Sequence, residues 1–129
     1  MAKDVNQMLA EARQRLERLG PEQARAATED GAVLIDIRAD YQRAADGVVP
    51  AAVRIPRNVL EWRCDPTSDH RDERVSDPSR RLIVMCDEGY QSSLAAAVLQ
   101  DLGLERATDL DGGFQAWRAA GLPVEPASG

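Results

Sequence analysis

Residues 82–92, LIVMCDEGYQS, decide the fold of this chain. The first four are apolar, which predicts a strand buried in a sheet. Cys86 follows directly, and a short polar loop containing Gly89 leads into an apolar segment typical of a helix. In open α/β sheets the chemistry lies beyond the carboxyl ends of the strands. The stretch therefore predicts a central strand with a cysteine at the functional edge of the sheet.

Short apolar runs and amphipathic segments flank this stretch on both sides. Strands are predicted over 32–37, 52–55 and 107–110, helices over 4–19, 21–28, 94–102 and 114–120, and short helical turns near 40–46 and 58–62. Residues 64–80 are polar and are predicted to form a long surface loop. Strands alternating with helices pair in parallel, so we expect a three-layer α/β fold in one domain over residues 1–129. The apolar face of the amphipathic helix at 4–19 either packs on the domain or binds a partner.

Composition restricts the classes of function. The 129 residues are 43% hydrophobic and 29% charged, which is typical of one soluble domain. The net charge of -6 and the pI near 4.8 disfavour nucleic acid and anionic membrane surfaces as partners. The charged N-terminus contains no apolar core of a signal peptide, and no apolar run is long enough to span a membrane. Two cysteines favour free thiols over a disulfide framework, so a cytoplasmic location is expected.

Cys86 is the main candidate for a reactive group. A glycine-containing loop before a helix can direct several backbone N–H groups at one point and form a small anion-binding nest. The positive end of the following helix dipole adds to this effect, and both stabilise a thiolate, the nucleophilic form of cysteine. The alternative is a buried cysteine that only packs at a strand end. The residues of the loop alone leave both interpretations open.

Four segments in order support a closer resemblance. They are 34–38 (LIDIR), 47–56 (GVVPAAVRIP), the loop stretch 82–92, and 111–117 (DGGFQAW) with 121–124 (GLPV). Over residues 20–125 the chain resembles the rhodanese family of single-domain sulfurtransferases. The resemblance implies a rhodanese-like fold with a mostly parallel five-stranded sheet flanked by helices.

The resemblance also implies a mechanism. The Cys86 thiolate would take a sulfur atom from a donor such as thiosulfate and hold it as a persulfide. Cyanide or a thiol would then accept that sulfur, without a metal or an organic cofactor. Backbone amides of the active loop would hold the substrate; its residues are Asp87, Glu88, Gly89, Tyr90, Gln91 and Ser92.

The loop departs from the family in its charge. Asp87, Glu88 and Gln91 stand where relatives often carry basic residues. Carboxylates facing the pocket would repel thiosulfate, whereas carboxylates facing solvent would be screened. We therefore hypothesise that thiosulfate is a modest donor and that a less charged persulfide or a basic protein is preferred. The alternative function is a persulfide carrier or interaction module that relays sulfur between proteins.

Four residues outside the loop are candidates for pocket support. Asp36 and Arg38 lie at a predicted strand end, where they either pair with each other or brace the loop. Arg57 and Arg63 flank a predicted helical turn, and they either supply the positive charge that the loop lacks or are solvated at the surface.

Three other interpretations are weaker. Phosphatases of the Cys-x5-Arg type need an arginine six residues after the cysteine to grip phosphate, and Ser92 occupies that position. Cys64 is either a resolving thiol for Cys86 or a bystander in the long loop. Cys64 and His70 supply only two of the four ligands of a structural zinc, so no metal site is predicted.

Overall fold

The computed structural model describes residues 1–127. In chain order the elements are α1 (Val5–Gln14), α2 (Pro21–Glu29), β1 (Val33–Asp36), α3 (Asp40–Asp46), β2 (Val53–Arg54), a 3₁₀ helix (Arg57–Val59), α4 (Leu60–Cys64), β3 (Leu82–Met85), α5 (Gln91–Asp101), β4 (Thr108–Asp109) and α6 (Gly113–Ala119). Strands alternate with helices along the chain, as the sequence pattern predicts. None of the helices within these residues is long and apolar enough to cross a membrane.

The strands form one parallel sheet in the order β2-β1-β3-β4. β1 and β3 pair over four residues, from Val33 opposite Leu82 to Asp36 opposite Met85. The two central strands therefore end side by side. Cys86 follows at this carboxyl edge, where the sequence predicted the functional site.

Both faces of the sheet are covered. Alternate residues of β1 and β3 point to opposite sides because side chains along a strand have a period of two. One buried cluster contains Val33, Ile35, Leu82 and Val84 with residues of α4 and α5, and the other contains Leu34, Ile83 and Met85 with residues of α2 and α6. Two helical layers around one sheet give the predicted three-layer α/β fold, which also explains why the central strands are apolar throughout.

The number of strands differs from the expectation. Four strands are present in the described residues, not five. Leu19 forms an isolated parallel bridge with Leu110 beside β4, accepting a hydrogen bond of 2.8 Å from the Asp111 amide. α2 begins two residues later at Pro21, so the chain turns away before a longer strand can form.

The N-terminal helix is shorter than predicted. α1 ends at Gln14, and the chain then leaves the helix so that Leu19 reaches the sheet. Asp4 caps its first turn, accepting a hydrogen bond from the Gln7 amide at 2.8 Å. α1 packs against α5 and buries Ala12, so part of its apolar face covers the domain.

Two further local predictions were wrong. α5 begins at Gln91, not at residue 94. Cys64 is not in a loop, because it ends helix α4 and is fully buried. The polar segment 65–81 does form a loop without helix or strand, as expected.

Candidate active site

The path of the loop after Cys86 depends on α6. The carbonyls of Cys86 and Asp87 accept hydrogen bonds from the backbone amides of Phe114, at 2.9 Å, and Gln115, at 3.1 Å. A Cβ atom on Gly113 would lie 2.6 Å from both carbonyl oxygens, so this close approach requires glycine. These two carbonyls thus point toward α6.

The sulfur of Cys86 lies within a nest of backbone amides. Its Sγ accepts hydrogen bonds from the N–H groups of Gly89, at 3.2 Å, and Ser92, at 3.3 Å. Gly89 has a φ of +90°, and a Cβ atom there would lie 2.7 Å from the Gly112 nitrogen. The Ser92 amide belongs to the first turn of α5, so the positive end of that helix also faces the sulfur. This arrangement stabilises a thiolate.

A buried carboxylate lies behind the loop. Asp109, at the end of β4, is fully buried and accepts hydrogen bonds from the hydroxyls of Ser92 (2.8 Å) and Ser93 (2.7 Å). Arg18 donates from Nε to Oδ1 of the same carboxylate at 2.9 Å. Burial by itself would lower the pKa of Arg18, but the hydrogen bond and charge of Asp109, with the charges of Asp111 and Cys86, raise it. Arg18 therefore remains a cation beside the buried carboxylate.

Two arginines from the N-terminal segment contact the loop directly. Arg13 and Arg18 each donate from Nη2 to the carbonyl oxygen of Gly89, at 2.9 and 2.8 Å. Sequence reasoning missed both residues, together with Asp109. The chain contains no signal for the two arginines, because they lie more than 70 residues before Gly89 and belong to no recognisable motif.

The sulfur faces a pocket of about 520 Å³. The loop contributes one wall and the segments after β1 and β2 the other; the lining residues are Ile37, Arg38, Ala39, Gln42, Arg54, Pro56, Arg57, Asn58, Cys86, Asp87, Glu88, Tyr90 and Gln91. Cys86 itself is only 5% exposed. A substrate therefore meets the sulfur at the base of the pocket.

The arginines predicted from the sequence have separate environments. Arg38 is buried, forms a double hydrogen bond with Asp36 at 3.1 and 2.9 Å, and lies 3.8 Å from the centre of the Phe114 ring. Arg57 lines the pocket and pairs with Glu61 at 2.7 Å.

The structure does not bring Arg63 into the pocket, since its guanidinium binds the carbonyl of His70. Arg54, which sequence reasoning did not select, lines the pocket and pairs with Asp40 at 3.0 Å. Positive charge thus enters the pocket from the wall opposite the loop, not from the loop itself.

The two loop carboxylates also differ. Asp87 accepts a hydrogen bond of 2.9 Å from the side-chain amide of Gln115, which also donates to Asp46 at 3.0 Å. Glu88 is exposed at the pocket rim. Asp87 is therefore held toward α6, whereas the charge of Glu88 is open to screening by solvent and salt.

The second cysteine lies in a different environment. Burial, with smaller effects from Asp72 and Glu61, raises the pKa of Cys64 to about 12. A thiol with this pKa stays protonated at neutral pH and is a poor nucleophile. His70 is exposed in the loop 65–81 and does not line the pocket. Within residues 1–127, no group of three or more His, Cys, Asp or Glu side chains is placed to hold a metal ion.

The chain is similar to proteins of one family. The model of the rhodanese-like domain family matches residues 20–120. Thiosulfate sulfurtransferase GlpE of Pseudomonas fluorescens is 37% identical over 112 residues, which cover 87% of this chain and 93% of that protein. GlpE of Pseudomonas syringae is 35% identical, with 87% and 95% covered. The chain belongs to the rhodanese-like domain family.

Solved structures share the fold. A Rhodopseudomonas palustris protein of unknown function, described as a possible tyrosine phosphatase, superposes with a TM-score of 0.87 at 33% identity and covers 97% of this chain and 96% of its own. A thiosulfate sulfurtransferase of Pseudomonas aeruginosa has a TM-score of 0.70 at 26% identity, covering 87% of this chain and 20% of its own. The predicted family, the α/β fold class and a rhodanese-type sulfurtransferase activity are confirmed by these similarities.

Proposed function

We propose that this protein is a single-domain sulfurtransferase that uses thiosulfate as donor and carries the transferred sulfur as a persulfide on Cys86. The observation that carries the proposal is the pair of backbone N–H groups of Gly89 and Ser92 directed at Sγ. Hydrogen bonds to an anionic sulfur are stronger than those between neutral groups. They favour the thiolate that attacks the donor and that leaves again when the acceptor takes the sulfur.

The reaction proceeds in two displacements. The Cys86 thiolate attacks the outer sulfur of thiosulfate, the sulfur–sulfur bond breaks, and sulfite leaves with the bonding electron pair. An acceptor, either cyanide or a thiolate, then attacks the outer sulfur of the persulfide. The Cys86 thiolate leaves with the electron pair of that bond, and thiocyanate or a new persulfide is released. Neither step needs an external oxidant or reductant.

The far wall of the pocket supports an anionic donor. Arg54 and Arg57 place two guanidinium groups there, each paired with one carboxylate. These charges oppose the repulsion from Glu88 at the rim. These two cations support thiosulfate as a donor, although the loop itself contains no cation.

The second candidate is a relay of persulfide sulfur between proteins. The exposed Glu88 at the pocket rim favours it, because a carboxylate there attracts a basic partner and repels a small dianion. In that function a protein persulfide is the donor and free thiosulfate reacts slowly.

Phosphoryl transfer is a less favoured function for the same nest of backbone amides. Position 92, where a phosphatase of the Cys-x5-Arg type needs arginine, holds a serine whose hydroxyl is bound to Asp109. The similarity to the R. palustris protein is one of overall fold, and it does not place an arginine at position 92 of this chain.

The test is intact mass after incubation with thiosulfate. We expect a gain of one sulfur atom that cyanide removes and that the Cys86→Ser variant does not show, while Cys64→Ser behaves as the wild type. Initial rates should give the parallel lines of ping-pong kinetics. A gain of sulfur only from a protein persulfide would favour the relay, and hydrolysis of p-nitrophenyl phosphate by Cys86 without any gain of sulfur would contradict both.

We also infer a cytoplasmic setting. Both cysteines are free and buried, and a nucleophilic thiolate is maintained in a reducing compartment. The partners are then a small sulfur donor and a thiol or cyanide acceptor.

A further inference from the structure

The segment before residue 20 lies outside the region that the family model matches, yet it reaches the active loop. Arg13, in α1, and Arg18, between α1 and α2, both donate to the carbonyl oxygen of Gly89. Two guanidinium groups on one carbonyl form a charged clamp on the residue whose amide binds the Cys86 sulfur. We call these two side chains the arginine clamp.

Both arginines are themselves held in place. Arg13 donates from Nε to the Ser93 hydroxyl at 3.1 Å, and its guanidinium lies 5.6 Å from the centre of the Tyr90 ring. Arg18 is anchored on Asp109, and it also donates to Asp111 at 3.1 Å. The clamp thus joins the N-terminal segment to the loop, to the first turn of α5 and to the end of β4.

The clamp fixes the direction of the peptide between Gly89 and Tyr90. In a planar trans peptide the carbonyl and the N–H point in opposite directions. Arg13 and Arg18 do not line the pocket, so they hold the Gly89 carbonyl from the outer side of the loop. The Tyr90 N–H is therefore directed away from them, toward the side where the outer sulfur of a persulfide would lie.

We propose that Arg13 and Arg18 are positioning residues for sulfur transfer: the clamp keeps the loop amides directed at Cys86 and its persulfide. The proposal rests on the proposed function for the identity of the reaction. The orientation of the loop, in contrast, can be tested without any sulfur donor. The orientation of the loop is set by the N-terminal segment before residue 20, which lies outside the region that the family model matches.

The experiment compares variants in the rate at which iodoacetamide, a neutral reagent, alkylates Cys86 as a function of pH. Arg13→Met removes one arm of the clamp and leaves Arg18 on Asp109. Arg18→Lys keeps a cation near Asp109, but a single ammonium lacks the several directed donors that serve Asp109 and Gly89 together. Arg15→Met is the matched control, because Arg15 lies in the same segment and pairs with exposed Asp101 at the far end of α5.

All variants retain the other charged groups around Cys86. These groups are Asp36, Arg38, Arg54, Arg57, Asp87, Glu88 and Asp109. A shift of the pH profile relative to Arg15→Met therefore reports the clamp. Peptide mapping after alkylation separates the reaction at Cys86 from any reaction at buried Cys64.

We expect the alkylation profile of Arg13→Met to lie at higher pH than that of Arg15→Met. Sulfur transfer from thiosulfate should fall roughly tenfold in kcat, the factor expected for loss of one hydrogen bond from a charged group. Arg13→Lys should recover part of both losses, and Arg18→Lys should show a smaller change in the same direction.

The proposal is overturned if Arg13→Met has the alkylation profile of Arg15→Met. If Arg18→Lys fails to fold, Arg13→Met alone decides, since it leaves Asp109 paired. Should the wild type transfer no sulfur from any donor, the proposed function fails, and the alkylation profiles still test the clamp.

Discussion

The side-chain amide of Gln115 donates a hydrogen bond of 2.9 Å to the carboxylate of Asp87. The contact holds the first acidic residue of the active loop against α6. Glu88, in contrast, is exposed at the pocket rim, so it is the loop carboxylate that an approaching anion meets first. The two acidic residues, which look equivalent in the sequence, therefore have different effects on an anionic donor.

Replacing Glu88 by lysine should raise kcat/KM for thiosulfate. Reversing an exposed charge removes a repulsion and adds an attraction, and the gain should be about two- to fivefold at low salt. A series of steady-state rates at increasing salt measures it, since the gain should shrink as ionic strength rises. Glu105→Lys, beyond the far end of α5, is the control and should change kcat/KM little. An equal gain in both variants would point to net charge, not to the pocket rim.

Arg54 and Arg57 should govern the affinity for an anionic donor. Replacing either by glutamine removes a positive charge from the pocket wall, and KM for thiosulfate should rise about three- to tenfold with kcat little changed. Arg63→Gln is the matched control, because Arg63 lies near both in sequence but outside the pocket. Steady-state kinetics with varied thiosulfate separates KM from kcat. A rise in KM for Arg63→Gln equal to that for Arg57→Gln would contradict this assignment.

Gly89 should be essential for sulfur transfer, and Gly103 provides a matched control. Gly89 and Gly103 have nearly the same φ, +90° and +92°, but only Gly89 has a neighbour that a Cβ atom would meet. Gly103→Ala should cost about 1–2 kcal/mol of unfolding free energy with sulfur transfer intact. Gly89→Ala should also lose about 100-fold in kcat, as for a misplaced backbone donor at a reacting anion. Urea denaturation and steady-state rates on both variants make the comparison, and equal kcat values would refute it.

Cys64 should make the protein less stable in alkali. Burial raises its pKa from 9.0 to about 12, so between these values the unfolded chain releases a proton that the folded chain retains. The free energy of unfolding should therefore fall as pH rises above 9, by up to about 1.4 kcal/mol per pH unit from this group. Urea denaturation of the wild type and Cys64→Ala from pH 8 to pH 11 measures the difference in slope. Parallel curves would show that Cys64 titrates alike in both states.

Much of the site was predictable because its signals are local. Cys86 follows an apolar strand, Gly89 marks the turn, and Asp36 and Arg38 pair two residues apart. Arg57 likewise lies in a helical turn that borders the pocket, as its place in the sequence predicts. In each case a short stretch of chain contains the residues and the geometry that relates them.

Other parts of the site depend on distant contacts. Arg13 and Arg18 reach Gly89 across 76 and 71 residues of sequence. Asp109, in strand β4, binds Ser92 and Ser93 in helix α5. Arg63 is an opposite case: it lies near the predicted turn, but its side chain binds the carbonyl of His70 and not the pocket. Pairwise contacts of this kind follow from how helices pack on the sheet, which no local pattern encodes.

The sequence by itself determined that Cys86 stands at the carboxyl end of a buried strand, because apolar runs and glycine turns act on the neighbouring backbone. Only the tertiary structure decided what surrounds that sulfur. It placed the cations in the opposite wall and behind the loop, tied Asp87 to Gln115, and buried Cys64. The physical reason is that charge and burial depend on distance in space, and the packing of the layers sets those distances.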